Sequence, residues 1–386
     1  MKLFKSLLVA PAALGLLAPI SATANELNLA EVSGYSSSEE VQNISEFNSK
    51  QLAITNSRVD GLEVRINNYE AGAFSETTTA SFSADFAVGS VDGITSNEAF
   101  SAGYGFQIDL NTSFTGEDSL DVSIDAGNAG NATNGGTAQA FDELDLNDNG
   151  DSLTVDGISY TFPIGDKTTA FVGDSVDGSS LYNTACVYGS PTDTMDDCAL
   201  ASSAIEEGAG TAAGASVDIG NGFTAALGYT GDGSTSNGLV TKEGNDSYGA
   251  QLTYTGDSYG ASVTYAHVEG TIDETFWGLN GYWTSDSTGN VPSISVGYEI
   301  GDPASGIDST QYFVGLQWDE VGPGTLGVAL GNTGPMDDAS KDTNMYEVFY
   351  NYPVNDGMTI TPVIYSKEVN NADDQTGILV KTSFSF

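Results

Sequence analysis

The sequence is short of long apolar runs, basic residues and histidine, and each shortage excludes a class of protein. Beyond residue 17, no stretch approaches the roughly 18 consecutive apolar residues that a membrane-spanning helix needs. Ten lysines and arginines stand against 53 acidic residues, which gives a formal net charge of −43. Because recognition of phosphate backbones requires clustered lysine and arginine, nucleic acid is excluded as a partner.

Residues that could form a catalytic centre are scarce as well. The single histidine, His267, lies in a strand-like run, so any nucleophile-histidine-acid arrangement must form around it. The sequence contains no nucleophile-elbow, zinc-protease or phosphate-loop motif. We therefore predict that the protein is not an enzyme, and a hydrolase centred on His267 is the alternative.

The first 24 residues have the composition of a secretory signal peptide. Lys2 and Lys5 precede an apolar run from Leu7 to Leu17, and the small-x-small sequence Ala22-Thr-Ala24 follows it. We expect cleavage after Ala24 and export of residues 25–386.

Residues 25–73 differ from the rest of the chain. Residues 25–48 are polar and are expected to be flexible. Within residues 49–72, a seam repeats at every third or fourth position, at Leu52, Thr55, Val59, Leu62, Ile66 and Tyr69. This spacing predicts a short periplasmic coiled coil that holds a homotrimer together. Alternatively, the segment is a single amphipathic helix packed under the following domain, an interpretation that Gly61 favours. Any contact with the cell wall is expected from residues 25–73.

From Phe74 onward the hydrophobic period changes to two. In the last eleven residues, one face carries Ile378, Val380, Thr382 and Phe384, and the other carries Gly377, Lys381, Ser383 and Ser385, with Leu379 as an exception. Such a strand suits a wall between lipid and water, although one strand alone suits a soluble β-sandwich equally well. Many further segments repeat the alternation and end in aromatic residues, as in the aromatic belts of membrane barrels.

We count about sixteen such segments and predict an all-β fold, an antiparallel transmembrane β-barrel over residues 74–386. The strands are expected near residues 78–88, 99–110, 119–125, 153–162, 168–172, 213–219, 223–230, 248–255, 259–268, 275–284, 292–300, 311–318, 325–331, 344–352, 358–366 and 376–386. Long loops are expected near residues 111–151 and 173–212, and such loops can fold inward and narrow a barrel.

The acidity of this region has two interpretations. From Phe74 onward the chain has 45 acidic residues, five lysines and no arginine. The negative charge belongs either to solvated loops or to a lumen that attracts cations. Strand parity places six candidate pore-lining residues on the inner face, namely Asp85, Asp109, Asp121, Asp125, Glu299 and Lys381. A register shift of one residue would turn each of them outward.

Cys186 and Cys198, the only cysteines, both lie in the second long loop. An even number of cysteines in an exported protein predicts a disulfide bond, which would stiffen this loop. A metal site is disfavoured because no second pair of ligands lies nearby.

One segment resembles a calcium-binding loop. Its oxygen-bearing side chains are Asp145, Asn147, Asn149, Asp151 and Asp156. Position 12 of the loop is Asp rather than Glu, and no flanking helices are readable, so the alternative is an ordinary turn between strands. We predict no cofactor other than weakly bound Ca²⁺ at this loop.

Several stretches carry a resemblance to a known family. They are Ser293-Ile-Ser-Val-Gly-Tyr-Glu299, Tyr312-Phe-Val-Gly-Leu-Gln-Trp318, residues 346–362, Ser159-Tyr-Thr-Phe-Pro-Ile-Gly-Asp166 and Asn56-Ser-Arg-Val-Asp-Gly-Leu-Glu63. These stretches resemble cyanobacterial outer-membrane porins, which are related to the carbohydrate-selective porins. The resemblance runs over most of the chain after residue 24 and is strongest at its carboxyl end.

The resemblance implies a barrel of about sixteen strands that passes small hydrophilic solutes, either sugars or inorganic ions, across the outer membrane of a cyanobacterium. Two features depart from the family. Residues 25–73 are too few for the surface-layer-homology domain of many members, and the barrel has no arginine of the kind that often lines sugar-selective pores.

The hypothesis from the sequence is therefore a homotrimeric porin surrounded by outer-membrane lipid, with a lumen that prefers cations or neutral solutes. The alternative is a structural or adhesive β protein of the cell envelope that does not conduct. A conducting lumen requires an open interior, whereas a structural protein does not.

Overall fold

The structure is a computed structural model, and it describes residues 77–94, 98–129, 139–144, 146–147, 149–200, 202–205, 210–233, 235–242, 244–270, 273–285, 290–303, 308–332, 336–337, 343–370 and 372–386. The chain divides into two units, Met1–Gly72 and Ala73–Phe386, and all described residues belong to the second. The predicted signal peptide, flexible segment and periplasmic helix lie outside the described residues and stay predictions.

Regular structure in the described part of the second unit is almost all β-strand. They are β1 (Thr78–Asp92), β2 (Ser101–Thr112), β3 (Ser119–Gly127), β4 (Thr154–Ile164), β5 (Thr168–Asp174), β6 (Thr211–Gly220), β7 (Phe223–Gly231), β8 (Asp246–Thr255), β9 (Tyr259–Val268), β10 (Glu274–Trp283), β11 (Ser293–Pro303), β12 (Ser309–Val321), β13 (Gly324–Asn332), β14 (Met336–Asp337), β15 (Asn344–Asn355), β16 (Met358–Lys367) and β17 (Gln375–Ser385). A 3-10 helix (Gln139–Leu144) and one α-helical turn, α1 (Asp193–Asp196), lie in the connections. Among the described residues, no helix has the length and apolar content needed to cross a bilayer.

The strands form one closed antiparallel barrel. Each long strand pairs with its neighbours in the sequence, and β1 pairs with β17 from Ser83 opposite Ser385 to Asp92 opposite Thr376. The two-residue β14 pairs with the first two residues of β12, Ser309 and Thr310, and β13 pairs directly with β15. The predicted fold class is confirmed, and the sixteen predicted segments correspond one to one to the sixteen long strands.

The alternating sequence pattern separates the two faces of the wall. Large apolar side chains are exposed on the outer face, for example Phe86 at 53%, Leu227 at 64%, Trp277 at 52% and Ile378 at 61%. Because side chains of a strand point alternately to opposite sides, the residues between them face the interior. An apolar exterior of this extent is stable in contact with lipid acyl chains.

The connections differ at the two ends of the barrel. Most connections at one end of the barrel, here called the turn end, are tight. For example, Asn221 and Gly222 join β6 to β7. Their φ angles of 56° and 83° lie in the left-handed region, which asparagine and glycine tolerate. The opposite end, here called the loop end, carries the long connections β3–β4 and β5–β6. The first long loop is shorter than the predicted 111–151, because Ser119–Gly127 forms β3.

The turn between β2 and β3 is held by one carboxylate. Asp118 Oδ1 accepts hydrogen bonds from the backbone N–H groups of Phe114 and Thr115 and from the hydroxyls of Ser113 and Thr115, and Asp118 Oδ2 accepts one from Tyr160. Burial alone would raise the pKa of Asp118, but the hydrogen bonds from Tyr160, Thr115 and Ser113 together hold this pKa well below its ordinary value.

Candidate pore and its constriction

The connection between β5 and β6, residues 175–210, is here called the constriction loop, and the part of it that the structure describes, 175–200 and 202–205, crosses the inside of the barrel. Its backbone N–H groups at alternate residues donate to inward side chains of four strands. Asn183 N donates to Gln251 Oε1 (2.6 Å), Ala185 N to Ser262 Oγ (3.0 Å), Val187 N to Ser295 Oγ (3.0 Å) and Gly189 N to Gln317 Oε1 (3.0 Å). These acceptors lie on β8, β9, β11 and β12, so the loop follows the inner wall across the strand direction. The bond from Ala185 N satisfies a buried backbone group that would otherwise have no partner.

The constriction loop is then fixed to β15 by a buried carboxylate. Glu347, which is 1% exposed, accepts hydrogen bonds from the hydroxyls of Tyr188, Ser190 and Thr192. Burial and the neighbouring Glu347 raise the pKa of Tyr188 far above its ordinary value, so Tyr188 remains a donor. Three donors on one carboxylate make Glu347 the most highly bonded anchor of this loop in the described structure.

The far end of the constriction loop is held by a disulfide bond and by β10 and β11. Cys186 is bonded to Cys198, which confirms the predicted disulfide. Asn280 Nδ2 donates to Cys198 O (2.7 Å), and Ser203 N donates to Glu299 Oε2 (2.7 Å). Glu299 has the inward parity that the sequence predicts, but it is 0% exposed under the loop and therefore does not border open solvent.

The described part of the β3–β4 connection also packs inside the barrel. Its 3-10 helix buries Phe141 and Leu144, and the carboxylate of Glu143 forms an ion pair with Lys367 Nζ (2.5 Å). Thr194 of α1, which is part of the constriction loop, also donates to Glu143. The 3-10 helix and the constriction loop are therefore joined by hydrogen bonds. The two long loops therefore support one another within the barrel.

The inner wall beneath these two loops is apolar, whereas the alternation in the last strand places mainly glycine, lysine and serine on the inner face. The buried cluster contains Phe141 and Leu144 from one loop, Tyr188 and Met195 from the other, and inward wall residues, namely Phe313, Met345, Phe349, Val363, Tyr365 and Leu379. Burying one such side chain contributes about 1.5–3 kcal/mol. The same cluster includes Ala87 and Val91 of β1 and Ala129 after β3, so it fixes the loops against β12–β17 and against the part of β1 nearest the loop end.

Carboxylates line the inner wall on β1, β2 and β3. Asp85, Asp109 and Asp121 share the inward parity and are partly exposed. Asp109 Oδ1 accepts hydrogen bonds from Gln107 and Ser123, and Asp121 Oδ1 accepts them from Asn111 and Ser119, so neutral donors hold both carboxylates in place. The fourth predicted residue of this group, Asp125, is only 8% exposed, because Asn149 and Thr154 cover and bond it. Lys381 also faces inward and is partly exposed, on β17.

The segment that resembles a calcium loop makes contacts to the wall. Asn149 Oδ1 accepts a hydrogen bond from Gly127 N, Asn147 Nδ2 donates to Phe106 O, and Asp151 Oδ1 accepts from Tyr104. Asp156 is exposed on β4, and Asp145 lies outside the described residues. In the described part of this segment, no cluster of three acidic, His or Cys residues has metal-binding geometry. Calcium binding here stays a prediction.

The constriction loop itself borders an acidic chamber. A cavity of about 480 Å³ is lined by Asp177, Asp196 and Asp197 together with Thr184 and Tyr188. Burial and the nearby Asp156 raise the pKa of Asp177 above its ordinary value. Carboxylates therefore lie both on the loop and on the wall strands β1–β3, and the described inward-facing cations are Lys367 and Lys381.

His267 lies on the outer face of the wall. Its ring packs against Tyr248 with centroids 5.1 Å apart, and its Nδ1 lies 3.2 Å from Thr275 Oγ1. Neither partner is a carboxylate or an activated nucleophile, so this placement does not form a catalytic centre.

Comparisons with known proteins agree with this architecture. Residues 58–372 match the family described as Gram-negative porin. OprB of Pseudomonas putida has 11% sequence identity, with 80% of this chain and 94% of that chain covered and a TM-score of 0.59. A mutant of the Rhodopseudomonas blastica porin has 13% identity, with coverages of 80% and 100% and a TM-score of 0.51. These two structures are similar in fold alone.

Among curated proteins, an uncharacterized protein of Nostoc sp. is 32% identical over 136 residues. The match covers 32% of this chain and 24% of the relative, so the chain spans about a quarter of that relative's length.

Proposed function

This chain belongs to the Gram-negative porin family, and from that premise we propose that it is a passive outer-membrane channel whose constriction prefers cations over anions. The family and the barrel fold support a channel for small solutes rather than an enzyme. The preference for cations rests on one observation: carboxylates occur on both the constriction loop and the β1–β3 wall, with no arginine after residue 74. Fixed negative charges beside a narrow aqueous path concentrate cations and repel anions.

Several finer points belong to the same proposal. The solutes are inorganic cations and small neutral molecules, including sugars, and the host membrane is that of a cyanobacterium. The partial match to the Nostoc protein supports the cyanobacterial origin. The homotrimer and a cell-wall contact through residues 25–73 remain expectations from the sequence.

Reversal potentials test the cation preference directly. We expect purified protein in a planar bilayer to conduct in steps and, in a KCl gradient, to show a reversal potential of the sign that potassium permeation produces. In a variant carrying Asp85→Asn, Asp109→Asn and Asp121→Asn, this potential should move toward zero. Two unit charges about 4 Å apart in water interact by about 1 kcal/mol, so the cation-to-anion permeability ratio should fall about fivefold.

A matched control removes the same charge from the turn end. The carboxylates of Asp166, Asp257 and Asp356 are exposed in tight turns, and their replacement by Asn should leave the reversal potential nearly unchanged. Equal shifts in both triple variants would show that overall charge, not the wall of the constriction, sets the preference. A preference for chloride in the unmodified protein would refute the proposal.

A further inference from the structure

A group of buried oxygen atoms, here called the Glu299 cluster, lies beneath the far end of the constriction loop. It is formed by Glu299 of β11, Asn280 of β10 and Ser203 of the loop, which are 0%, 6% and 0% exposed. In the described part of the chain, Glu299 Oε1, Asn280 Oδ1 and Ser203 Oγ have no hydrogen-bond partner. Buried polar atoms of native proteins nearly always have a partner, so three such atoms in one place indicate a bound ligand.

Hydrogen bonds and strand register hold the three residues close together. Ser203 N donates to Glu299 Oε2 (2.7 Å), and the Ser203 hydroxyl lies beside the same carboxylate. On the wall, Glu299 pairs with Gly278 of β10. Asn280 lies two residues further along β10, so Asn280 and Glu299 are diagonal neighbours on adjacent strands. Such neighbours are about 7–8 Å apart, a separation that long side chains span, so one small ion between them can contact both.

Two glycines let the loop reach this part of the wall. A Cβ atom at Gly278 would lie 2.5 Å from Ser203 Oγ. A Cβ atom at Gly297, opposite Asn280, would overlap Cys198 O. Asn280 Nδ2 donates to this carbonyl (2.7 Å), which leaves the amide oxygen as a free acceptor. The loop and the wall therefore both supply oxygen atoms to the cluster.

The charge of the cluster determines the class of ligand. The ion pair found in the described structure joins Lys367 to Glu143, so no cationic side chain pairs with Glu299. Ser202 and Ser203 are the hydroxyl residues beside this carboxylate, and both are neutral. A buried carboxylate is costly without an opposite charge or a full set of donors. A cation at the open oxygen atoms would supply the opposite charge.

A monovalent cation fits the cluster better than a divalent cation or a water molecule. The available ligands are all oxygen atoms, which hard cations prefer. One carboxylate balances one positive charge, whereas calcium sites typically contain several carboxylates. A water molecule would satisfy the three oxygen atoms but would leave the charge of Glu299 unbalanced.

The acidic chamber next to the constriction loop brings cations close to the cluster. Leu200 lines this chamber and also lies against Gly278, the residue that pairs with Glu299. Asp196 and Asp197 line the same chamber, and such carboxylates raise the local concentration of cations. The chamber and the cluster therefore share Leu200 as a neighbour, and a cation reaches the cluster from the chamber.

We propose that the Glu299 cluster binds an alkali-metal cation such as Na⁺, with Glu299 Oε1, Asn280 Oδ1 and Ser203 Oγ as ligands. The ion fixes the loop around Ser203 to β10 and β11. This inference goes beyond the proposed function, because the ion is a fixed part of the folded protein and is not a permeating solute. Glu347 and Glu299 then hold one loop by different means, hydroxyl donors at Glu347 and a cation at Glu299.

Hydrogen–deuterium exchange of the purified full chain in a neutral detergent tests this site. Exchange in NaCl is compared with exchange in N-methyl-D-glucamine chloride at equal ionic strength, because that organic cation is too large for the cluster. The reporters are the N–H groups of Ser203 and Ala204, which are hydrogen-bonded in the folded loop and exchange when it opens. Binding to the closed loop slows exchange by the factor 1 + [Na⁺]/Kd, so we expect exchange about tenfold slower at a Na⁺ concentration of ten times Kd.

Three variants make the test specific. Glu299→Gln removes the charge of the cluster, and its exchange should be equal in the two salts. Ser203→Ala keeps the N–H donor and removes one ligand, so about fivefold more Na⁺ should be needed for the same slowing. Asp302→Asn removes a carboxylate from an exposed position on the same strand and should respond to Na⁺ as the unmodified protein does.

Equal exchange in the two salts for the unmodified protein would overturn the cation site, and it is the result that a bound water or a protonated Glu299 would give. A Na⁺ effect that persists in Glu299→Gln, or that is as large at Asn183 and Ala185 as at Ser203, would overturn it too. If Glu299→Gln does not fold, the Ser203→Ala titration decides alone, and an unchanged Na⁺ requirement contradicts the site. Conduction in bilayers is not part of this test, so its outcome leaves the proposed function unaffected.

Discussion

At the scale of single residues, the protein uses buried glutamates as anchors for a loop rather than as pore charges. Glu347 and Glu299 are both inward-facing by strand parity, yet both are covered by the constriction loop and accept hydrogen bonds from it. A buried carboxylate without a cationic partner is stable only when several donors surround it. The hydroxyls of Tyr188, Ser190 and Thr192 meet that requirement at Glu347.

Replacement of Glu347 tests this anchoring role. In Glu347→Ala the three hydroxyl groups lose their acceptor, and each buried group left without a partner costs about 1–3 kcal/mol. We expect the loop near Tyr188 to detach from β15, which raises the mean single-channel conductance and adds rapid current fluctuations. In the control Glu117→Ala, which removes an exposed carboxylate from the β2–β3 turn, currents should be unchanged. Quiet currents of unchanged size in Glu347→Ala would contradict the anchoring role.

At the scale of elements, the constriction loop is a strand-like segment that lies across the wall and is closed by a disulfide. The bond between Cys186 and Cys198 spans 12 positions and encloses the residues that bond Glu347. In the chain-entropy model, a disulfide that closes a loop of this size stabilises the folded state by about 3 kcal/mol, because it lowers the entropy of the unfolded segment. The disulfide therefore acts on the same segment as the Glu347 anchor.

Reduction of the disulfide should loosen the loop without releasing it. The backbone donors of Asn183, Ala185 and Gly189 keep their acceptors on the wall, so the mean conductance should change little, whereas current noise should increase. Current recordings before and after addition of a reductant measure this effect. The variant Cys186→Ser/Cys198→Ser should be noisy from the start and should not respond to the reductant. A reductant effect that persists in this variant would assign the noise to another cause.

The sequence predicts the strands well and the packing of the loops poorly, for physical reasons. Alternation with a period of two follows from strand geometry, so the inward parity of Asp85 and Asp109 could be inferred from sequence alone. The hydrogen bonds from Asn183 and Ala185 to the wall could not be inferred from the sequence, because their donors are backbone N–H groups, which every residue except proline has. Phe313 and Phe349 face inward although they are apolar, because the inner faces of their strands contact the loops rather than water. The alternation of apolar and polar residues is therefore weak in these two strands. Glu347 lies between Tyr346 and Val348, which face outward. Strand alternation could therefore have identified Glu347 as an inward-facing polar residue.

At the scale of the whole barrel, closure between β1 and β17 determines what the protein can do. A closed sheet leaves no strand edge unpaired, which allows an apolar exterior and a polar path inside to coexist. The two long loops pack against β12–β17 and against the loop-end part of β1, so conduction depends on the space beside Asp85, Asp109 and Asp121, which lie nearer the turn end. We therefore predict an off-centre path whose width the constriction loop sets.

The most direct test of this central claim is single-channel conductance with and without the constriction loop. The unmodified protein is compared in planar bilayers with a variant in which residues 176–209 are replaced by a short Gly-Ser linker between β5 and β6. We predict stepwise conductance for both proteins, with larger steps for the variant because the narrowest part of the path has been removed. A silent bilayer with the unmodified protein, or steps of equal size from the two proteins, would contradict it.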